Sequence, residues 1–207
     1  MKINNEEHLV VRKTPRQQRA KVTVESILQA AESIIFNEGY EIASTNHIAE
    51  VAGVSIGSLY QYFPSKEAIV AALVENAVVK AAERLRERLL ACMTMPLAES
   101  IPELVRLILI TRQDNAFIFL RLPREVPKLG KISRQLTTEK FLYTTIHAYY
   151  LQHRDEIKVE NLETAMFVTE HLVVGSINAF IEDNSPKLTD EELVQHLSDA
   201  VIKYLTK

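Results

Sequence analysis

The chain has a single cysteine, Cys92, among its 207 residues, so it can form neither an intrachain disulfide nor a cysteine-rich zinc site. Five glycines and seven prolines supply too few turns for a sandwich or barrel of many short strands. No uninterrupted apolar run approaches the roughly 18 residues that a membrane span needs. The first eleven residues are polar and mixed in charge, without the apolar centre of a signal peptide. None of the six histidines stands at a His-x-x-x-His spacing, so no metal site and no cofactor are expected. Nucleophile–base–orienter spacing and a phosphate-binding glycine loop are also missing, which argues against an enzyme.

What is present is a composition that can fold: 47% hydrophobic and 25% charged residues, enough for one large domain or two small ones. The expectation is a soluble, cytoplasmic protein without membrane association. The formal charge of −3 conceals an asymmetry. Arg12, Lys13, Arg16, Arg19 and Lys21 follow one another with no acid between them, a basic arm on a near-neutral body.

Apolar residues recur at helical spacing almost throughout, and two-residue alternation is lacking, so the chain reads as all-α. The first stripe, Val24 to Ile35, stops at Gly39, which suits a left-handed helix end. Ser44 or Thr45 can cap a short helix, Gly53 interrupts it, and Ser55 can cap a second that closes at Tyr62-Phe63-Pro64. Ser65 opens a long helix halted near Pro96. The stretch 97–111 carries an early Pro102, which moves its expected start toward Ile101. A short helix over 115–122 ends at Pro123, a loop with two prolines follows, and a long helix is expected from Ile132 to His153. The stretch 161–181 is apolar on most of its circumference and reads as buried on two sides. Thr189 with Glu192 forms a capping box for the last helix.

Residues 44–63 carry the chemistry. Two short helices separated by Gly53-Val54-Ser55 fit a helix-turn-helix, in which the second helix lies in the DNA major groove. That helix presents Ser55, Ile56, Gly57, Ser58, Tyr60 and Gln61. Gly57 and Ser58 permit close approach, the hydroxyls of Ser55, Ser58, Tyr60 and Tyr62 can donate to phosphate oxygens, Ile56 can touch a thymine methyl, and Gln61 can reach adenine or phosphate. Lys66 stands in the first turn of the long helix, where a bound phosphate would relieve its conflict with the helix dipole. An ordinary helix connection with core aromatics at Tyr60, Tyr62 and Phe63 is the competing reading.

The ordered string Ile27-Leu28-Gln29-Ala30-Ala31, Glu38-Gly39-Tyr40, Ile48-Ala49-Glu50-Val51-Ala52-Gly53-Val54-Ser55 and Gly57-Ser58-Leu59-Tyr60-Gln61-Tyr62-Phe63-Pro64-Ser65-Lys66-Glu67 resembles the DNA-binding domain of TetR-family transcriptional regulators. The resemblance covers about a quarter of the chain. It implies a homodimeric, usually repressing regulator that binds double-stranded operator DNA and whose variable second domain takes a small-molecule effector. Carried over by position, Thr45, Tyr60, Tyr62 and Lys66 resemble phosphate contacts. Asn46, Ile56 and Gly57 fall where bases are read, and Arg16, Arg19 and Lys21 where an arm reaches the minor groove. Ser58 stands where a threonine often precedes the Leu-Tyr pair, keeping the hydroxyl.

The implied division is a flexible basic arm over 1–21, a helix-turn-helix domain over 22–66, and an effector-binding and dimerisation domain over 67–207. Within the last, Tyr143, His147 and Tyr150 share one helix face, Phe117, Leu120 and Arg121 lie on the short helix before them, and Phe167, His171 and Val174 form a third stripe. Converging, they would give an apolar pocket with a few polar anchors; separately, they are core residues with polar tips. Arg112, Arg121 and His171 can each anchor an anion or pair with an acid. Gly175, Ser176 and Ala179 allow close helix approach and Leu193, Leu197 and Val201 form a stripe, together suggesting a four-helix dimer interface. Cys92 reads as a buried structural thiol. The rival to a regulator is a helical interaction or small-molecule-binding protein without DNA affinity.

Overall fold

The computed structural model describes residues 18–126, 142–183 and 187–206. Among these, every extended element is a helix, and an isolated antiparallel bridge pairs Ile157 with Thr206. The residues fall into two compact units, Met1–Ala77 with Leu122–Ser133, and Val78–Arg121 with Arg134–Lys207.

In the first unit, α1 (Gln18–Glu38) begins before the apolar stripe does, because Gln18-Arg19-Ala20-Lys21 is a run of good helix formers. Arg19 and Lys21, expected in a flexible arm, are therefore exposed residues of the first helical turns. Arg16 and the rest of the expected arm lie outside the described residues. Gly39 ends the helix at φ +94°, its N–H donating to the Ile35 carbonyl. Helix α2 (Thr45–Val51) is capped by Ser44, whose Oγ accepts from the His47 N–H at 3.2 Å. Helix α3 (Ile56–Tyr62) is capped the same way by Ser55 from the Ser58 N–H at 3.1 Å. Ile27, Ile35, Ile48, Leu59, Phe63 and Ile69 are fully buried in this unit.

Helix α4 (Lys66–Ala91) gives its first half to this unit and its second to the other. Helix α5 spans Leu97–Asp114. Pro102 sits inside it, so the helix starts about a turn before the place its proline suggested. The first turn is secured from outside: the N–H of Leu97 donates to Glu156 Oε2 at 3.1 Å. A π-helical turn, Phe117–Arg121, runs directly into α6 (Leu122–Glu125), which returns to the first unit. Pro123 lies within α6, so the chain is helical over residues 123–125 where a loop was expected.

Helix α7 covers Tyr143–Gln152; the earlier part of the expected Ile132–His153 helix is outside the described residues. Helices α8 (Leu162–Asp183) and α9 (Asp190–Leu205) complete the second unit, with α5 packed on both and α7 on α8. The Thr189–Glu192 capping box is present at the start of α9. Cys92 is buried in the core beside α5, α8 and α9 residues such as Leu97, Val173 and Leu197. Helix α8 is long and apolar enough to cross a membrane by length and composition alone, yet it buries only one row, Ala165, Thr169, Val173 and Ile177. The expected burial on two sides is thus met on one side within the chain.

Candidate functional site

Helix α3 is two-sided by the simplest arithmetic. Leu59 and Phe63 point inward and are fully buried, while Ser55, Ile56, Gly57, Tyr60 and Gln61 are exposed. Tyr60 is 41% exposed, which removes the reading of it as a core aromatic. The connection from α2 depends on Gly53, at φ +66°, whose N–H donates to the Glu50 carbonyl while Val54 donates to Ala49. A left-handed residue reverses the chain within four positions and leaves the start of α3 facing outward.

The hydroxyls expected to meet phosphate are linked to one another. Thr45 Oγ1 and Tyr60 Oη lie 3.0 Å apart, joining the start of α2 to the end of α3. Ser55 and Ser58 share a 2.8 Å contact at the start of α3. Asn46 is exposed beside Thr45, and Tyr62 is half-buried. No acidic residue occurs from Val51 to Lys66, so the exposed face of α3 carries donors and acceptors without negative charge.

Lys66 has more to do than the sequence suggested. Its ammonium donates to the Tyr40 carbonyl at 2.7 Å and lies 3.8 Å over the Tyr40 ring. Tyr40 Oη in turn donates to Glu67 Oε1 at 3.2 Å. Burial, reinforced by the neighbouring Glu67 charge, pushes the Tyr40 hydroxyl well above its ordinary value. Burial also pushes Glu67 upward, but hydrogen bonds from its own backbone, Ser65 and Tyr40, with the Lys66 charge, outweigh it and hold the carboxyl below the usual range. This clamp fixes the start of α4 against the end of α1. It was invisible in the sequence because its partners stand 26 and 27 positions apart.

In the second unit, the aromatic residues singled out from spacing separate into inner and outer sets. Tyr150 is buried, with its hydroxyl 2.5 Å from Thr169 Oγ1, and burial raises its pKa to about 12. Tyr143 is exposed, stacks on His147, and donates to Glu163 Oε1 at 3.2 Å. Phe167 is 61% exposed and stacked on exposed His171, whose Nδ1 lies 2.8 Å from the Phe167 carbonyl oxygen. Phe117, Leu120 and Val174 are half-buried and Arg121 is exposed, with its guanidinium 5.8 Å from the Phe117 ring. The three stripes therefore do not all face one interior.

The residues expected at a dimer interface also divide. Leu193, Leu197 and Val201 are buried in the chain's own core, because α9 turns its apolar face onto α5. They have little surface left for a partner. Gly175 and Ala179 remain exposed and Ser176 half-buried, in line with Phe167 and His171 at four-residue spacing along α8. Arg112, expected to anchor an anion or to pair with an acid, lies 4.7 Å over the Phe119 ring, and Asn178 has a buried Oδ1 without a hydrogen-bond partner among the described residues.

A short capped helix, a glycine turn and a second helix with an exposed acid-free face define a helix-turn-helix protein. Residues 27–73, about a quarter of the chain, match the family model of bacterial regulatory proteins, tetR family, so through this segment the chain is similar to that family. It is 37% identical over 75 residues to the HTH-type transcriptional regulator YvdT of Bacillus subtilis, and 43% identical over 61 residues to the A-factor receptor protein of Streptomyces griseus. These alignments take in 36% and 30% of the chain and span only 38% and 22% of those relatives. The fold extends the likeness: a TetR-family transcriptional regulator from Mesorhizobium loti superposes with a TM-score of 0.75 at 18% identity, over 92% of this chain and 100% of that one.

Proposed function

We propose that the protein is a ligand-responsive DNA-binding transcriptional regulator, not an enzyme, acting as a repressor that binds a palindromic operator as a homodimer and is released by a small-molecule effector. The observation that carries this reading is the outward face of α3. A helix whose inner side is anchored by Leu59 and Phe63 and whose outer side carries hydroxyls, an amide, a glycine and the single apolar Ile56 is shaped to enter a groove. Arg19 and Lys21 extend the basic end of the surface, with Arg16 and the arm before them supplying the salt-sensitive part of affinity. Thr45, Ser55, Ser58, Tyr60, Tyr62 and Lys66 take phosphates; Asn46, Ile56, Gly57 and Gln61 take base edges.

Two half-sites need two reading heads about 34–36 Å apart, and the exposed stripe Phe167, His171, Gly175, Ala179 offers the surface for pairing. The division into arm, helix-turn-helix domain and effector domain follows, with α4 passing from one unit to the other. Release needs an effector that binds one of two arrangements better than the other. One of the two named relatives is itself called a receptor. Selection of duplexes from a random library, followed by sedimentation of the complex, tests the proposal. A palindromic consensus occupied by two chains is expected; enrichment of no sequence would leave a helical interaction module.

A further inference from the structure

Arg112 is a half-buried cation of the second unit with no ion pair among the described residues. Its guanidinium is half-buried on α5 and lies over Phe119, in the π-helical turn. No carboxylate of the described residues reaches ion-pair distance, and none of its N–H groups has an acceptor among them. The nearby charge that it does feel is Glu170 on α8. Burial pulls the guanidinium below its ordinary range and the Glu170 charge pushes it partly back. By contrast Arg88 and Arg106 on the same unit each reach a carboxylate, Glu103 and Glu191. A half-buried cation held over an aromatic ring, without a carboxylate at ion-pair distance among the described residues, gains from an anion that approaches it. The π-helical geometry beside it is one that recurs at functional sites.

Resting on the effector-binding reading of this unit, we infer that Arg112 is the anchor for the carboxylate of an effector with an apolar body, seated beside Phe119 with Glu170 as the charge it displaces. The planar fork of a guanidinium matches two carboxylate oxygens in parallel hydrogen bonds. One cation balances one negative charge, so a monoanion fits and a phosphate dianion leaves a surplus in a half-buried place. The stacked aromatic ring supplies the apolar wall. Glu170 is exposed and can turn to solvent when an anion arrives.

The test is calorimetric titration of the full chain with decanoate, benzoate and phenylacetate, with decanol as the neutral counterpart and decyl phosphate as the dianion. Saturable binding of at least one carboxylate is expected. For decanoate, affinity about tenfold above that of decanol is expected, together with loss of about tenfold in R112Q. E170Q changes an exposed side chain and keeps the fold; removing its repulsion should tighten carboxylate binding by about threefold. Equal affinity for decanoate and decanol, an unaltered R112Q, an unchanged or weakened E170Q, tighter binding of decyl phosphate, or no saturable carboxylate binding would each overturn the assignment. DNA binding by the unmodified chain, measured without any of these probes, decides the regulator reading separately.

Discussion

Thr45 and Tyr60 share one hydrogen bond in the free protein, and each hydroxyl keeps a second site for a phosphate oxygen. Tyr60→Phe removes one donor from an exposed contact, so stability should change by less than about 0.5 kcal/mol while DNA affinity falls by about 1 kcal/mol, some fivefold. Thr45→Val should behave alike. The double substitution should cost less than the sum, because the two hydroxyls position each other; fluorescence anisotropy with a selected duplex measures all three. Glu67 gives a prediction in pH. Its folded-state value lies below the unfolded one, so its contribution is present above the unfolded range and is lost as pH falls through the folded value. Urea midpoints between roughly pH 5 and pH 3 should decline less steeply in Glu67→Gln than in the parent chain.

The helices of the first unit are held by local devices: Ser44, Ser55 and Ser65 as caps, and Gly39 and Gly53 at positive φ. A Cβ at Gly53 meets no atom within 4 Å, so Gly53→Ala costs only the left-handed backbone, about 1 kcal/mol. Thermal unfolding should register that loss, and DNA binding should weaken as the turn that aims α3 loosens. A loss above about 3 kcal/mol would mean that the turn is strained in some further way. These devices were legible in the sequence because they act within four residues. The same was true of the α3 face, where Leu59 and Phe63 mark the inner side. The Tyr40–Lys66–Glu67 clamp and the Arg112–Phe119 contact were not, since each joins residues remote in sequence or separated by an unexpected π-helical turn. The proline positions misled for a related reason. Pro102 stands inside α5 and Pro123 inside α6 directly after the π-helical turn, so neither marks a helix start, and contacts such as Leu97 N–H to Glu156 secure the first turn of α5 instead.

In the second unit, one face of α8 is committed to the core and the other left open, with Phe167, His171, Gly175 and Ala179 in a row. Gly175 would leave a partner backbone free to approach. Ala179→Arg places charge and bulk on that row, so sedimentation should shift toward the single chain, and affinity for a two-half-site duplex should fall by about tenfold or more as the second head is lost. The apolar pattern that suggested Leu193, Leu197 and Val201 for this role is real, but periodicity marks a buried face without saying whether the chain itself or a copy covers it. The most direct test of the reading head is the salt dependence of DNA binding. Log affinity against log salt should fall linearly, with the slope shallower by about one for Lys21→Gln. Tyr60→Phe should lower affinity at every salt concentration with the slope unchanged. If the parent chain, Lys21→Gln and Tyr60→Phe give superimposable lines, the surface around α3 does not meet DNA.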